Sequence, residues 1–150
     1  MSLYYLETSA LVKLYVREMG TERLLALATS APANRFAILS LAQVEFRAAV
    51  RRRQRSGEIS PSEVDELIES FRHHSEGLFL VQTFSESLLD VACALIDAYA
   101  LRGYDSMQLA GYLMLRSVSG PEEPIFVCSD KALLSVAQNE GCAVLNPCPA

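Results

Sequence analysis

The sequence has no CxxC spacing, no Walker A or GxGxxG loop, no catalytic-triad motif and no cationic start followed by an uncharged apolar run. Each absence closes a route. Cys93, Cys128, Cys142 and Cys148 stand far apart, three of them in apolar runs, so reduced core thiols fit better than a zinc site or disulfides. Glu7, Lys13 and Arg17 interrupt the N-terminal segment, which excludes a signal peptide and a membrane span there and points to a cytoplasmic protein. Without the glycine-rich loops there is no ready cradle for a nucleotide, and nothing marks a Cys or Lys nucleophile. No repeat, low-complexity tract or linker divides the chain, and 150 residues at 51% hydrophobic suit one domain over 1–150. Basic excess is missing too. A net charge of −5 argues against a general nucleic-acid coat, although five of the thirteen Lys and Arg residues fall between Arg47 and Arg55.

What is present is organised around Leu3 to Tyr15. Leu3, Tyr4, Tyr5 and Leu6 form an apolar, aromatic run of the kind buried on both faces of a parallel sheet, and the run stops at Glu7. Thr8 and Ser9 suit an N-cap, and Ala10, Leu11, Leu14 and Tyr15 recur at helical spacing. In open parallel sheets ligands gather at the carboxyl ends of strands, where helix N-termini expose free N–H groups, so Glu7 stands in a chemical position. Helix capping is the plainer reading of Glu7 alone.

Further along, Thr21 is expected to cap a second helix that ends by Pro32, and Phe36 to Ser40 reads as a strand. Ser40, with Gln43 at capping-box spacing, is expected to open a helix to about Arg55. Glu45 lies in its second turn among Leu41, Ala42, Val44 and Phe46, an apolar setting for a carboxylate unless Arg47 or Arg52 pairs with it. Arg47, Arg51 and Arg55 recur at i, i+4, i+8 and line one stripe, either a phosphate-binding stripe or a solvated face. Ser60 or Ser62 begins another helix that ends near His73 and His74, which as neighbours diverge and suit C-terminal capping.

Leu78 to Phe84 reads as the third strand, followed by a helix opened by Ser85 and Ser87 with Asp90 and Asp97 on its solvent side. Asp105, after Gly103, caps or opens a strongly apolar helix. Ile125 to Cys128, Ser129-Asp130 and the helix from Lys131 repeat the opening pattern of apolar strand, acid, helix. Gly141 suits the helix C-terminus, and Ala143 to Leu145 makes a fifth strand. This alternation predicts an α/β fold with a mainly parallel sheet. Glu7, Glu45, Asp105 and Asp130 are then expected in one cleft, where they would repel unless cations neutralise them. Magnesium or manganese suits an all-oxygen set of this kind.

The chain resembles the PIN domain, in particular the VapC-type ribonuclease toxins, through LETSALVKLYVRE at Leu6 to Glu18, LAQVEFRAAVRR at Leu41 to Arg52, LRGYDSMQLA at Leu101 to Ala110 and FVCSDKALLSVAQNEG at Phe126 to Gly141. That resemblance implies a central five-stranded parallel sheet and a metal-dependent endoribonuclease using Mg2+ or Mn2+. It also implies an RNA substrate, a cognate antitoxin and a homodimer. By the same resemblance Glu7, Glu45, Asp105 and Asp130 are the catalytic acids, Glu7, Asp105 and Asp130 the metal ligands, and Thr8 and Ser9 the supporting hydroxyls; the shared stripe of Arg47 and Arg51 and its closeness to Glu45 make those two the expected RNA contacts. Two positions depart from the family pattern: Glu7 stands where the first acid is usually Asp, and Cys128 where Thr often precedes the last acid. A PIN-fold protein that binds RNA or a partner without cutting is the alternative, and a generic α/β domain whose acids only cap helices is a third.

Overall fold

The computed structural model describes residues 2–149. Five short apolar strands, β1 (Leu3–Leu6), β2 (Arg35–Leu39), β3 (Phe79–Gln82), β4 (Ile125–Val127) and β5 (Val144–Leu145), form one sheet in the order β3-β2-β1-β4-β5. Every pairing is parallel, so all five strands end on the same side. The expected neighbours β1 and β4 pair through Tyr4↔Ile125, Tyr5↔Phe126 and Leu6↔Val127.

Successive strand residues face opposite ways, and the sequence uses both faces. Tyr5, Ala37, Leu39 and Phe126 point into one apolar cluster, and Tyr4, Leu6, Ile38 and Val127 into the other. Helices cover the two sides. Helices α1 (Thr8–Leu11), α2 (Thr21–Ala28), α3 (Ala42–Arg55) and α4 (Pro61–Gly77) supply the second cluster with Leu11, Leu24, Phe46, Val50, Val64 and Phe71. Helices α5 (Glu86–Ala98), α6 (Gly103–Val118) and α7 (Lys131–Asn139) supply the first with Leu88, Leu95, Leu109, Tyr112, Leu133 and Ala137. Tyr5 stacks on Phe126 at 5.8 Å between centroids, with the edge of Tyr112 against both. Burial of each such side chain is worth about 1.5–3 kcal/mol, which fixes β1 and β4 as the rigid middle of the sheet.

Several local expectations are corrected. Ser40 does not cap α3: Leu41 precedes the helix without a side-chain cap, and the Ser40 carbonyl instead accepts from the Gln43 N–H, closing the turn through the backbone. Gly20, at φ 97°, takes the cap position before α2, and the Thr21 hydroxyl turns inward to donate to the Lys13 carbonyl. The third and fifth strands are shorter than expected, because β3 is an edge strand and β5 has β4 alone beside it. Ser60 and Ser85 do cap α4 and α5, accepting from the Glu63 and Leu88 N–H groups. The four cysteines are free thiols. Among the described residues no helix is long and apolar enough to cross a membrane.

Candidate active site

Because the strands are parallel, the residues that follow them emerge on one edge. Glu7 follows β1 directly and Asp130 lies three residues beyond β4; Glu45 sits in the first turn of α3 and Asp105 in the first turn of α6. All four line one open pocket of about 530 Å³, together with Thr8, Ser9, Lys13, Arg52, Arg53 and Arg102.

Each acid is held by one oxygen. Glu7 Oε2 accepts from the Ser9 backbone N–H at 3.0 Å, capping α1, and from the Ser9 hydroxyl. Ser9 Oγ also accepts from the Ser129 N–H at 3.0 Å, which ties the end of β1 to the loop carrying Asp130. Glu45 Oε1 accepts from the Thr8 hydroxyl at 2.8 Å and from the Gln108 amide at 2.7 Å. Asp130 Oδ1 caps α7 through the Ala132 and Leu133 N–H groups at 2.9 and 3.1 Å. Asp105 Oδ2 accepts from Arg102 Nε at 3.1 Å. Thus the capping role that the sequence suggests for Glu7 is real, Asp130 caps as well, and each cap uses only one carboxylate oxygen. Glu45 Oε2 and Asp105 Oδ1 accept no hydrogen bond among the described residues, the Cys128 thiol stands against the Glu7 carboxylate, and Asp130 Oδ2 faces Arg102 at 3.8 Å.

Glu7 is only 6% exposed. Burial, and to a smaller degree the Glu45 charge, push its carboxyl above the usual range, while the Ser9 hydrogen bonds pull it down. Cys128, beneath Glu7, accepts from the Asp130 N–H at 3.3 Å. Burial first, then the Glu7 charge, raise that thiol far above the ordinary cysteine value, so it stays a neutral hydrogen-bonding group rather than a nucleophile.

The arginines are placed differently from the expectation. Arg52 and Arg53, at i+7 and i+8 from Glu45, share its face of α3 with Ala48 and Ala49 and line the acid pocket. Arg47 and Arg51 lie about 200° and 240° round the helix from Glu45, at about 100° per residue. Arg47 lines a separate groove with Phe71 and Arg72, and Arg51 pairs with Asp65 at 2.8 Å. Glu18 pairs with both Lys13 and Arg53, at 3.1 and 2.8 Å, whereas exposed Arg52 forms no ion pair among the described residues. Sequence reasoning also missed Arg102, three residues before Asp105, and Gln108, three after it; their helical spacing from an acid was the available signal.

The donor set is all oxygen, with four carboxylates and two hydroxyls, and suits a hard cation such as magnesium or manganese better than zinc. Among the described residues no three His, Cys, Asp or Glu side chains stand together as a ready ligand cage. Magnesium seldom needs one, since it is usually held by one or two carboxylates with waters and substrate phosphate. The residues fit such an ion.

No protein-family model matches the chain, and no curated protein matches its sequence. Solved structures do match in shape. A toxin–antitoxin complex from Klebsiella pneumoniae superposes with a TM-score of 0.65 at 17% identity, over 98% of this chain and 99% of that one. FitAcB from Neisseria gonorrhoeae gives 0.67 at 15% identity, over 96% and 97%. PAE2754 from Pyrobaculum aerophilum gives 0.54 at 20% identity, over 96% and 92%. With its all-parallel five-stranded sheet, the seven α-helices among the described residues and end-to-end likeness to these structures, the chain has the PIN-like fold.

Proposed function

We propose that the chain is a magnesium- or manganese-dependent endoribonuclease, the toxin of a toxin–antitoxin pair. The observation that carries this reading is the pocket of four carboxylates, each anchored through one oxygen and gathered round one open space, beside Arg52, which forms no ion pair among the described residues. Four acids held in this way repel one another, and a cation with a bound phosphodiester is the ligand that relieves it. Of Glu7, Asp105 and Asp130, one or two would hold the ion directly and the rest through water, and the ion when bound would supply charge neutralisation and Lewis acidity to the phosphate. Glu45, with Oε2 open, is suited to hold or accept a proton there. Arg52 offers a phosphate contact, and Tyr104, 60% exposed at the pocket rim, offers a ring face to an unpaired base. The likeness to a toxin–antitoxin complex supports an antitoxin as partner. A second copy of the chain is the other partner, consistent with exposed Leu89 and Ile96 on α5 and checked by light scattering, where a monomer at all concentrations would dismiss it.

Purified protein and a mixed RNA pool test the reading. Cleavage should require Mg2+ or Mn2+ and stop with EDTA, and saturating Mn2+ should raise the unfolding midpoint by several degrees, the order of about 2.7 kcal/mol at a hundredfold excess over Kd. RNA binding without cleavage would install the binding-only alternative instead. Replacing Arg52 with Ala should weaken RNA binding and flatten its salt dependence, while Arg47→Ala should change neither; the reverse result would restore the outer stripe as the RNA contact.

A further inference from the structure

Behind Glu45 lies a polar chain that the proposed reaction does not by itself require. Gln108, in α6, is completely buried. Its Nε2 donates to Glu45 Oε1 at 2.7 Å and to Thr8 Oγ1 at 3.1 Å, and its Oε1 accepts from the Tyr5 hydroxyl at 3.1 Å. Tyr5 is also completely buried. Burial first, with the Glu7 and Glu45 charges behind it, raises its phenol well above the ordinary value and keeps it a donor. A phenol that donates fixes the amide: oxygen towards Tyr5, NH2 towards Glu45. The orientation follows from the partners alone, because a carboxylate accepts and cannot donate.

The network needs room, and Gly111 supplies it. A Cβ at that position would stand 2.4 Å from the Tyr5 hydroxyl oxygen and 3.2 Å from the ring carbon bearing it. Glycine inside a helix is less favourable than alanine by about 1 kcal/mol. Three residues therefore accept a local cost: a buried amide, a buried phenol and a mid-helix glycine. Leucine, phenylalanine and alanine would fill the same layer without any polar group to satisfy. What the three obtain together is one oxygen of one carboxylate, pinned from the protein side.

We propose that Gln108, with Tyr5 behind it and Gly111 making space, is a positioning residue for Glu45, holding Oε1 so that Oε2 is presented to the pocket. This rests on the ribonuclease reading for its consequence in turnover, but the contact itself can be tested apart from it. In ¹⁵N spectra the Gln108 side-chain NH2 pair, identified by its loss in Gln108→Leu, should shift when Glu45 is replaced by Gln; a pair that does not move overturns the proposal. On a single-stranded RNA oligonucleotide with Mn2+, Gln108→Leu should lower kcat about ten- to a hundredfold with KM within about twofold, as expected for a displaced group rather than lost binding. Tyr5→Phe should lower kcat less, since it removes the lock on the amide and not the amide.

In the Glu45→Gln background, adding Gln108→Leu should cost little more, because the two act as one unit. A full and independent loss in the double variant, or a Gln108→Leu protein whose loss is explained by partial unfolding in a melt, would also overturn it. If the wild type cuts no RNA, the ribonuclease reading fails, and the NH2 shift alone decides whether Gln108 holds Glu45.

Discussion

Asp130→Asn should leave the protein about as stable as the parent and reduce RNA cleavage by about a hundredfold or more. The two halves of that expectation come from the two oxygens of one side chain. Oδ1 caps α7 through two backbone N–H groups, and asparagine, among the best N-cap residues, can present its carbonyl in the same place. Oδ2 faces the pocket, where the substitution replaces an anionic oxygen with an NH2 group that cannot bind a cation. Asp130→Ala removes both and should cost about 1 kcal/mol of stability besides. Thermal melts and cleavage of the three proteins separate the roles. An active Asp130→Asn would reduce Asp130 to a helix cap and remove one corner of the proposed metal site.

Glu7 should show the opposite coupling between stability and activity. A carboxylate 6% exposed and in the field of Glu45 is costly when no cation is bound, so Glu7→Gln should melt no lower than the parent in EDTA near pH 8. Gln cannot supply the charge, so Mn2+ should stabilise that variant much less, and cleavage should fall about a hundredfold. Glu7→Asp keeps the charge but withdraws it by one methylene from Ser9 and from the pocket. Since Ser9, Ser129 and Cys128 are arranged around the longer side chain, cleavage should drop about tenfold rather than rise. Equal cleavage by wild type and Glu7→Gln would show that Glu7 holds no ion. Recovery in Glu7→Asp of an activity absent from wild type would show a site disabled by one methylene.

The parts of this site that could be read from sequence are those set by local pattern. An apolar run ending in an acid before a helix describes both Glu7 and Asp130, and parallel strands then bring the two to one edge. Asp105 was legible for the same reason, as an acid opening an apolar helix, though Arg102 rather than Asp105 takes the cap position. The arginines were not. Spacing of four correctly groups Arg47, Arg51 and Arg55 on one stripe, but a stripe has no direction until the helix has packed, and Phe46 and Val50 turn that stripe away from the pocket. Gln108 was hidden differently: its partner Tyr5 is 103 residues away, and a glutamine in an apolar helix gives no local sign of what it faces.

The strand order has a consequence for when the protein can act. β1, the first of the five strands in sequence, has as its neighbours β2 and β4, and β4 begins only at Ile125. Until that strand is synthesised, Glu7 has lost the Val127 carbonyl that its backbone N–H bonds and the Ser129 N–H that steadies Ser9, and Asp130 does not yet exist. Pairings this distant in sequence are slow to close, and the middle of the sheet cannot settle before its last parts emerge. A chain that has not yet reached β4 therefore carries at most three of the four acids and no assembled pocket. For a protein proposed to cut the very class of molecule directing its synthesis, the topology postpones competence until β4 and the loop beyond it have been made.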